Sequence, residues 1–103
     1  MRKYRVTNAA EEDLIQIADF GDENFGEAQS DIYRDQLEQR FFRIGEKPFL
    51  YPPVDYIFDG YRRSVCGAHS IYYKLEGDVA AIVRVLGRQD PRKALEEYEQ
   101  EIQ

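Results

Sequence analysis

Arg62, Arg63, His69, Tyr72 and Tyr73 fall within a dozen consecutive residues, and His69 is the single histidine of the 103-residue chain. An imidazole exchanges a proton near neutral pH, and guanidinium groups grip phosphates or carboxylates. Gathered around one phosphate, such groups do acid–base work on a nucleic acid. Spread over a sheet face, they hold a protein partner. These residues therefore pose a choice between an active site and a binding surface.

The elements that position them read as a β-hairpin. Tyr61–Cys66 and His69–Leu75 are runs of strand-forming residues around Gly67-Ala68, where Gly67 supplies the positive φ of a type II′ turn. A third strand, Val79–Leu86, follows a turn at Glu76-Gly77-Asp78. Ile71, Tyr73 and Leu75 alternate with Ser70, Tyr72 and Lys74, the pattern of a sheet with one buried face. Upstream, Lys3 to Thr7 forms a short strand expected to pair with the last of these three.

Two helices lie between. Asn8 offers an N-cap with Glu11 completing a capping box, and Ala10, Leu14, Ile17 and Ala18 have helical spacing. Gly21 and Gly26 bracket a break, after which a second helix carries Tyr33, Leu37, Phe41 and Ile44, with Ile32 widening the stripe. Gly45 is a plausible C-cap, and Pro48 forbids continuation. Residues 48–60 hold three prolines and read as a packed connector, extended toward its end. Asp90 and Pro91 open a last helix that runs to the C-terminus. The expected fold is α+β: a β-α-α-β-β-β antiparallel sheet with a helical hairpin on one face and a short C-terminal helix, in one domain over residues 1–103.

Composition narrows the function. The formal charge is −6, but residues 61–93 carry 7 basic and 3 acidic side chains. An acidic chain gains little of the phosphate attraction that dominates nucleic-acid affinity, so a protein partner is the expectation and direct nucleic-acid binding is not. One cysteine, Cys66, excludes an internal disulfide, and no Cys/His spacing suggests a metal site. Without a signal-peptide pattern or a membrane-length apolar run, the chain is expected to be soluble and cytoplasmic, with no cofactor and no membrane.

Specific residues now carry a family resemblance. They are Ala10, Asp13-Leu14 and Ile17; Phe25-Gly26; Tyr33 and Leu37; Pro48; Gly60-Tyr61-Arg62; Gly67 with His69; Ile71-Tyr72-Tyr73; and Val83-Arg84-Val85-Leu86. In this order and spacing over residues 4–90, the chain resembles ParE-type toxins of the RelE/ParE toxin–antitoxin superfamily. The resemblance implies the fold just derived and a ParD-like antitoxin in a hetero-oligomer. It also implies one of two actions: inhibition of DNA gyrase, as in ParE members, or ribosome-dependent cleavage of mRNA, as in the RelE branch.

The residues choose between these. Cleavage requires a base, a cationic clamp and an acid at one phosphate. Arg62 matches the sheet arginine of the RelE pattern, and Arg88 sits where another basic residue is expected, followed by Gln89. The tyrosine of that pattern falls on or near Leu95, with Tyr98 displaced by about a helical turn. The connector 49–59 has no lysine or arginine, only Asp55 and Asp59. A non-catalytic inhibitor is the favoured reading. Its candidate contacts with target or antitoxin are Arg62, Arg63, His69, Arg84 and Arg88. Structural roles stand beside these: His69 as a partner of its own backbone or of Tyr72, and the arginines as a solvated face or as partners of acidic helix residues. Leu14, Ile17, Tyr33, Leu37 and Phe41 are assigned to the core, and Cys66 to a small buried site.

Overall fold

A computed structural model of the protein describes residues 3–101. Seven elements follow one another: β1 (Tyr4–Val6), α1 (Asn8–Phe25), α2 (Glu27–Glu46), β2 (Tyr61–Cys66), β3 (His69–Glu76), β4 (Val79–Leu86) and α3 (Pro91–Glu101). The four strands form one sheet in the order β1-β4-β3-β2. β2, β3 and β4 are antiparallel neighbours joined by two-residue turns at Gly67-Ala68 and Gly77-Asp78. Gly67 and Gly77 take φ of 61° and 65°, and no non-glycine residue described has positive φ. Gly67 alone is left-handed in its turn, as a type II′ turn requires.

The N-terminal strand pairs with the last strand as expected, but in parallel: Tyr4 faces Ala80 and Val6 faces Ile82. The sheet is therefore mixed rather than wholly antiparallel. Antiparallel order is imposed by hairpin turns, and β1 reaches β4 only through two helices and two strands.

Both faces of the sheet are covered. On one, Ala10, Leu37, Phe41 and Ile44 of the helices pack on Ile71, Tyr73, Ile82 and Val85. On the other, Ala94 and Leu95 of α3 and Val54 of the connector pack on Tyr61, Tyr72, Ala81 and Val83. Tyr72, placed by alternation on an open face, is 4% exposed because α3 and the connector close that face.

Local signals were overridden where tertiary contact demanded it. Thr7, not Asn8, caps α1: its hydroxyl accepts from Ala10 N–H at 3.1 Å and donates to Val83 O at 2.9 Å, tying helix to sheet. α1 runs through Gly21 and breaks at Gly26 alone. A Cβ at Gly21 would lie 2.7 Å from Ser30 Oγ, so this glycine lets α1 and α2 close together. Gly45 lies inside α2, where a Cβ would press on Lys3 and Tyr4 at 3.2 Å, and the helix ends one residue later. Ile32 stands off the stripe and is exposed. In the connector, extended structure sits at Pro53 rather than at its end. There Val54 N–H donates to Tyr61 O at 2.8 Å and Arg63 N–H donates to Pro52 O at 3.1 Å, covering part of the free edge of β2.

α3 starts as expected, with Asp90 Oδ1 accepting from Arg92 N–H at 3.1 Å. Its continuation to residues 102–103 lies outside the described residues. Its far end is clamped by Glu99, which accepts from Tyr61 Oη at 2.5 Å and from Lys74 Nζ at 2.8 Å. Burial alone raises the Glu99 carboxyl, but these two bonds outweigh it and hold the group below its ordinary value of 4.5. A carboxyl held low stabilises the fold above its unfolded pKa, and that stability is lost as pH falls through the folded value. The wild type is therefore expected to lose thermal stability below pH 4.5 more steeply than Glu99→Gln, as read from melting curves between pH 3 and 7.

The turns give a paired prediction. Gly67→Ala meets a strained φ and a Cβ only 2.6 Å from the Tyr33 ring, whereas Gly77→Ala meets the φ alone, with open space around it. Chemical denaturation is expected to show a loss of about 1–2 kcal/mol for Gly77→Ala. Gly67→Ala should lose about 1–3 kcal/mol more, from the forced overlap.

Candidate functional site

β4 continues past the end of β1, and its exposed edge there must be satisfied by something else. The register between β3 and β4 slips, with Tyr72 opposite Arg84 and Tyr73 opposite Ile82, so Val83 is the extra residue of a bulge. Thr7 takes the Val83 carbonyl. Asp13 of α1, 5% exposed, takes the Val85 N–H at 2.9 Å. The same carboxylate receives Arg84 through two bonds, Nε to Oδ2 at 2.7 Å and Nη2 to Oδ1 at 2.9 Å. The Asp13 hydrogen bond holds the Arg84 guanidinium above its ordinary pKa, against burial. Arg84, one of the expected contact residues, is thus engaged inside the fold.

Its neighbour is a groove. Ile17, Phe20 and Phe25 of α1, Tyr33 of α2 and His69 of β3 line an open, mostly apolar cleft of about 510 Å³. Phe20 and Phe25 are 61% and 66% exposed, and their rings meet edge to face at 6.2 Å. His69 does not pack on Tyr72, which lies on the other face. Its Nδ1 is 2.6 Å from Tyr33 Oη, which also donates to Cys66 O and accepts from Ala68 N–H, both at 3.1 Å. Burial lowers the imidazole pKa, and the Asp13 charge partly offsets this.

The other arginines lie elsewhere. Arg62 and Arg63 alternate to opposite faces of β2. Arg62 donates to Tyr51 O at 2.7 Å and stacks 5.0 Å over the Phe49 ring. Arg63 reaches Tyr56 Oη at 3.3 Å, and Arg92 of α3 donates to Tyr56 O at 2.5 Å. Phe49 and Tyr56 are 69% and 67% exposed. The connector thus places one exposed ring beside Arg62 on one side of β2 and another beside Arg63 and Arg92 on the other, and tyrosine with arginine is the composition of protein-interface hot spots. Arg88 is exposed in the loop between β4 and α3, beside the groove wall at Gly87.

The five expected contact residues are not gathered into one site. Arg62 pairs with Tyr73 and His69 with Cys66. Four residues of β3 separate the two positions, about 13 Å at a rise of ~3.3 Å per residue. Leu95, on or near which the RelE-pattern tyrosine is expected, belongs to α3 and is fully buried against the sheet. Among the described residues, no three His, Cys, Asp or Glu side chains are placed to hold a metal ion.

Sequence reasoning missed the roles of Asp13, Tyr33 and Glu99. Asp13 had a readable signal: three residues from Ala10 and four from Ile17, it lies on the buried stripe, where a carboxylate demands a cation. Tyr33 also lies on its stripe, and a tyrosine there needs a partner for its hydroxyl. Glu99 had none, since its partners lie 25 and 38 residues away.

A family model for the ParE toxin of type II toxin–antitoxin system, parDE, matches residues 4–91. Toxin ParE1 of Caulobacter vibrioides is 31% identical over 86 residues, covering 84% of this chain and 88% of the relative. Toxin ParE1 of Mycobacterium tuberculosis H37Rv is 29% identical over 85 residues, covering 82% and 87%. A structure of the chromosomal ParDE TA system from P. aeruginosa superposes with a TM-score of 0.75 over 86% of this chain and 98% of its own, at 15% identity, which supports the fold.

The Asp13–Arg84 pair makes a stability prediction. Arg84→Ala leaves a buried carboxylate uncompensated and is expected to cost about 3–5 kcal/mol. Adding Asp13→Asn removes the charge yet keeps an oxygen for the Val85 N–H. The double variant should therefore recover at least about 1 kcal/mol in urea denaturation.

Proposed function

The chain belongs to the ParE family of toxins of type II toxin–antitoxin systems, and on that premise we propose that it acts by binding DNA gyrase, without catalysis of its own. It occupies the enzyme during strand passage and traps the complex with cleaved DNA. A ParD-like antitoxin neutralises it, with acidic residues meeting the exposed arginines.

The observation that carries this reading is the dispersal of the groups cleavage would need. Arg62 is committed to the Tyr51 carbonyl and the Phe49 ring. His69 sits about 13 Å along the strand from it. The connector offers Asp55 and Asp59 and no cation to an approaching phosphate chain. What the protein does present is the surface of Tyr56, Arg63 and Arg92, which suits a protein partner. Arg63 is the leading contact on that surface and Arg88, in the loop beside the groove, a separate one, while Arg84 is committed to Asp13.

Purified gyrase challenged with excess toxin is expected to lose supercoiling activity and accumulate cleaved DNA. Arg63→Glu should weaken inhibition by about tenfold or more, the effect of losing an interface hot spot. Unchanged supercoiling at toxin excess would rule out the gyrase target. Codon-biased mRNA cleavage on induction, abolished by Arg62→Ala, would instead establish the RelE-type nuclease.

A further inference from the structure

Tyr33 Oη has one hydrogen and two lone pairs, and it lies within hydrogen-bonding distance of three groups. The Cys66 carbonyl can only accept, so it takes the tyrosine hydrogen. The Ala68 N–H can only donate, so it fills one lone pair. The remaining lone pair, 2.6 Å from His69 Nδ1, is filled when that nitrogen carries a hydrogen. All three bonds form together only in the Nδ1–H tautomer of neutral His69, which leaves Nε2 with a bare lone pair. Among the described residues no hydrogen bond reaches Nε2, and the ring lines the groove beside Ile17 and Phe20.

The surroundings fix the sign of what that atom receives. α1 carries six acidic residues and no lysine or arginine, with Asp19 and Glu23 flanking Phe20. The apolar groove thus runs along an anionic helix, and a segment crossing it gains from positive charge. We propose that His69 Nε2 is the hydrogen-bond acceptor for an antitoxin segment that seats an apolar side chain against Phe20 and Phe25 and points a lysine or arginine at the imidazole. This rests on the antitoxin reading above and names the chemistry of one part of the contact, distinct from the acidic residues that meet Arg63.

Protonation reverses the site without dismantling it. Imidazolium keeps its Nδ1–H bond to Tyr33 and turns Nε2 from acceptor to donor, adding a charge that repels the cation. The charged and titratable groups facing the ring are Asp13 of α1, already paired with Arg84 of β4; Tyr33 of α2; and Cys66 of β2. Affinity is therefore lost as pH falls through the imidazole pKa.

His69 is the single histidine, so long-range 15N NMR of the free protein reads its tautomer without assignment. The Nδ1–H form is expected at pH 7.5; a dominant Nε2–H form overturns the proposal. Binding of the co-expressed antitoxin is then measured from pH 8 to 5. The dissociation constant is expected to be flat at high pH and to rise by up to about tenfold per unit once His69 protonates. His69→Gln should lose that pH dependence, and His69→Phe should bind about tenfold more weakly at pH 7.5. A complex whose affinity ignores pH, or keeps its pH dependence in His69→Gln, overturns this inference alone. Failure to form a complex at any pH overturns the antitoxin reading together with it.

Discussion

The edge of β4 is the constraint on which the rest depends. A sheet edge buried without partners costs the desolvation of each N–H and C=O along it. β1 covers β4 for three residues and then turns into α1, so the next stretch of edge must be satisfied by side chains. Thr7 and Asp13 do this, taking the Val83 carbonyl and the Val85 N–H. A carboxylate at that depth requires a cation, and the bulge at Val83 turns Arg84 to provide it. One short segment of backbone thereby dictates a helix cap, a buried ion pair and the angle at which α1 lies on the sheet.

That placement has consequences further out. With α1 anchored at Thr7 and Asp13, its second half leaves Phe20 and Phe25 in the open. Gly21 brings α2 close enough for Ser30 to bond the Ala18 carbonyl at 3.2 Å, and Tyr33 then reaches across to the β2–β3 turn. The groove and the orientation of His69 follow from that reach. On the other face, Tyr61, Lys74 and Glu99 hold α3 over the sheet, with Leu95 buried beneath the helix axis against Tyr61 and Tyr72. The fold thus covers that face of the sheet and leaves the rings of Phe20, Phe25, Phe49 and Tyr56 exposed.

Much of this was legible in the sequence where information is local. The Gly67-Ala68 turn, the bounds of β2 and β4, the Asp90 cap of α3 and the stripe through Leu37, Phe41 and Ile44 all follow from turn chemistry and periodicity. What was not legible depends on contacts between distant residues. Thr7 outranks Asn8 as a cap because Val83, 76 residues away, also needs its hydroxyl. Gly21 and Gly45 resemble helix ends yet serve close packing against Ser30 and β1. The arginines illustrate the limit for the site: Arg84 and Arg63 look alike in sequence, but Arg84 is tied to the buried Asp13 while Arg63 reaches the hydroxyl of the exposed Tyr56.

The central claim is that this ParE-family chain inhibits by occupancy, and stoichiometry tests it most directly. Toxin is titrated against a fixed amount of gyrase, and residual supercoiling is followed over time. Occupancy predicts inhibition that saturates at a fixed molar ratio, does not deepen with incubation, and reverses when antitoxin is added. Inhibition that progresses at substoichiometric toxin and survives added antitoxin would contradict it.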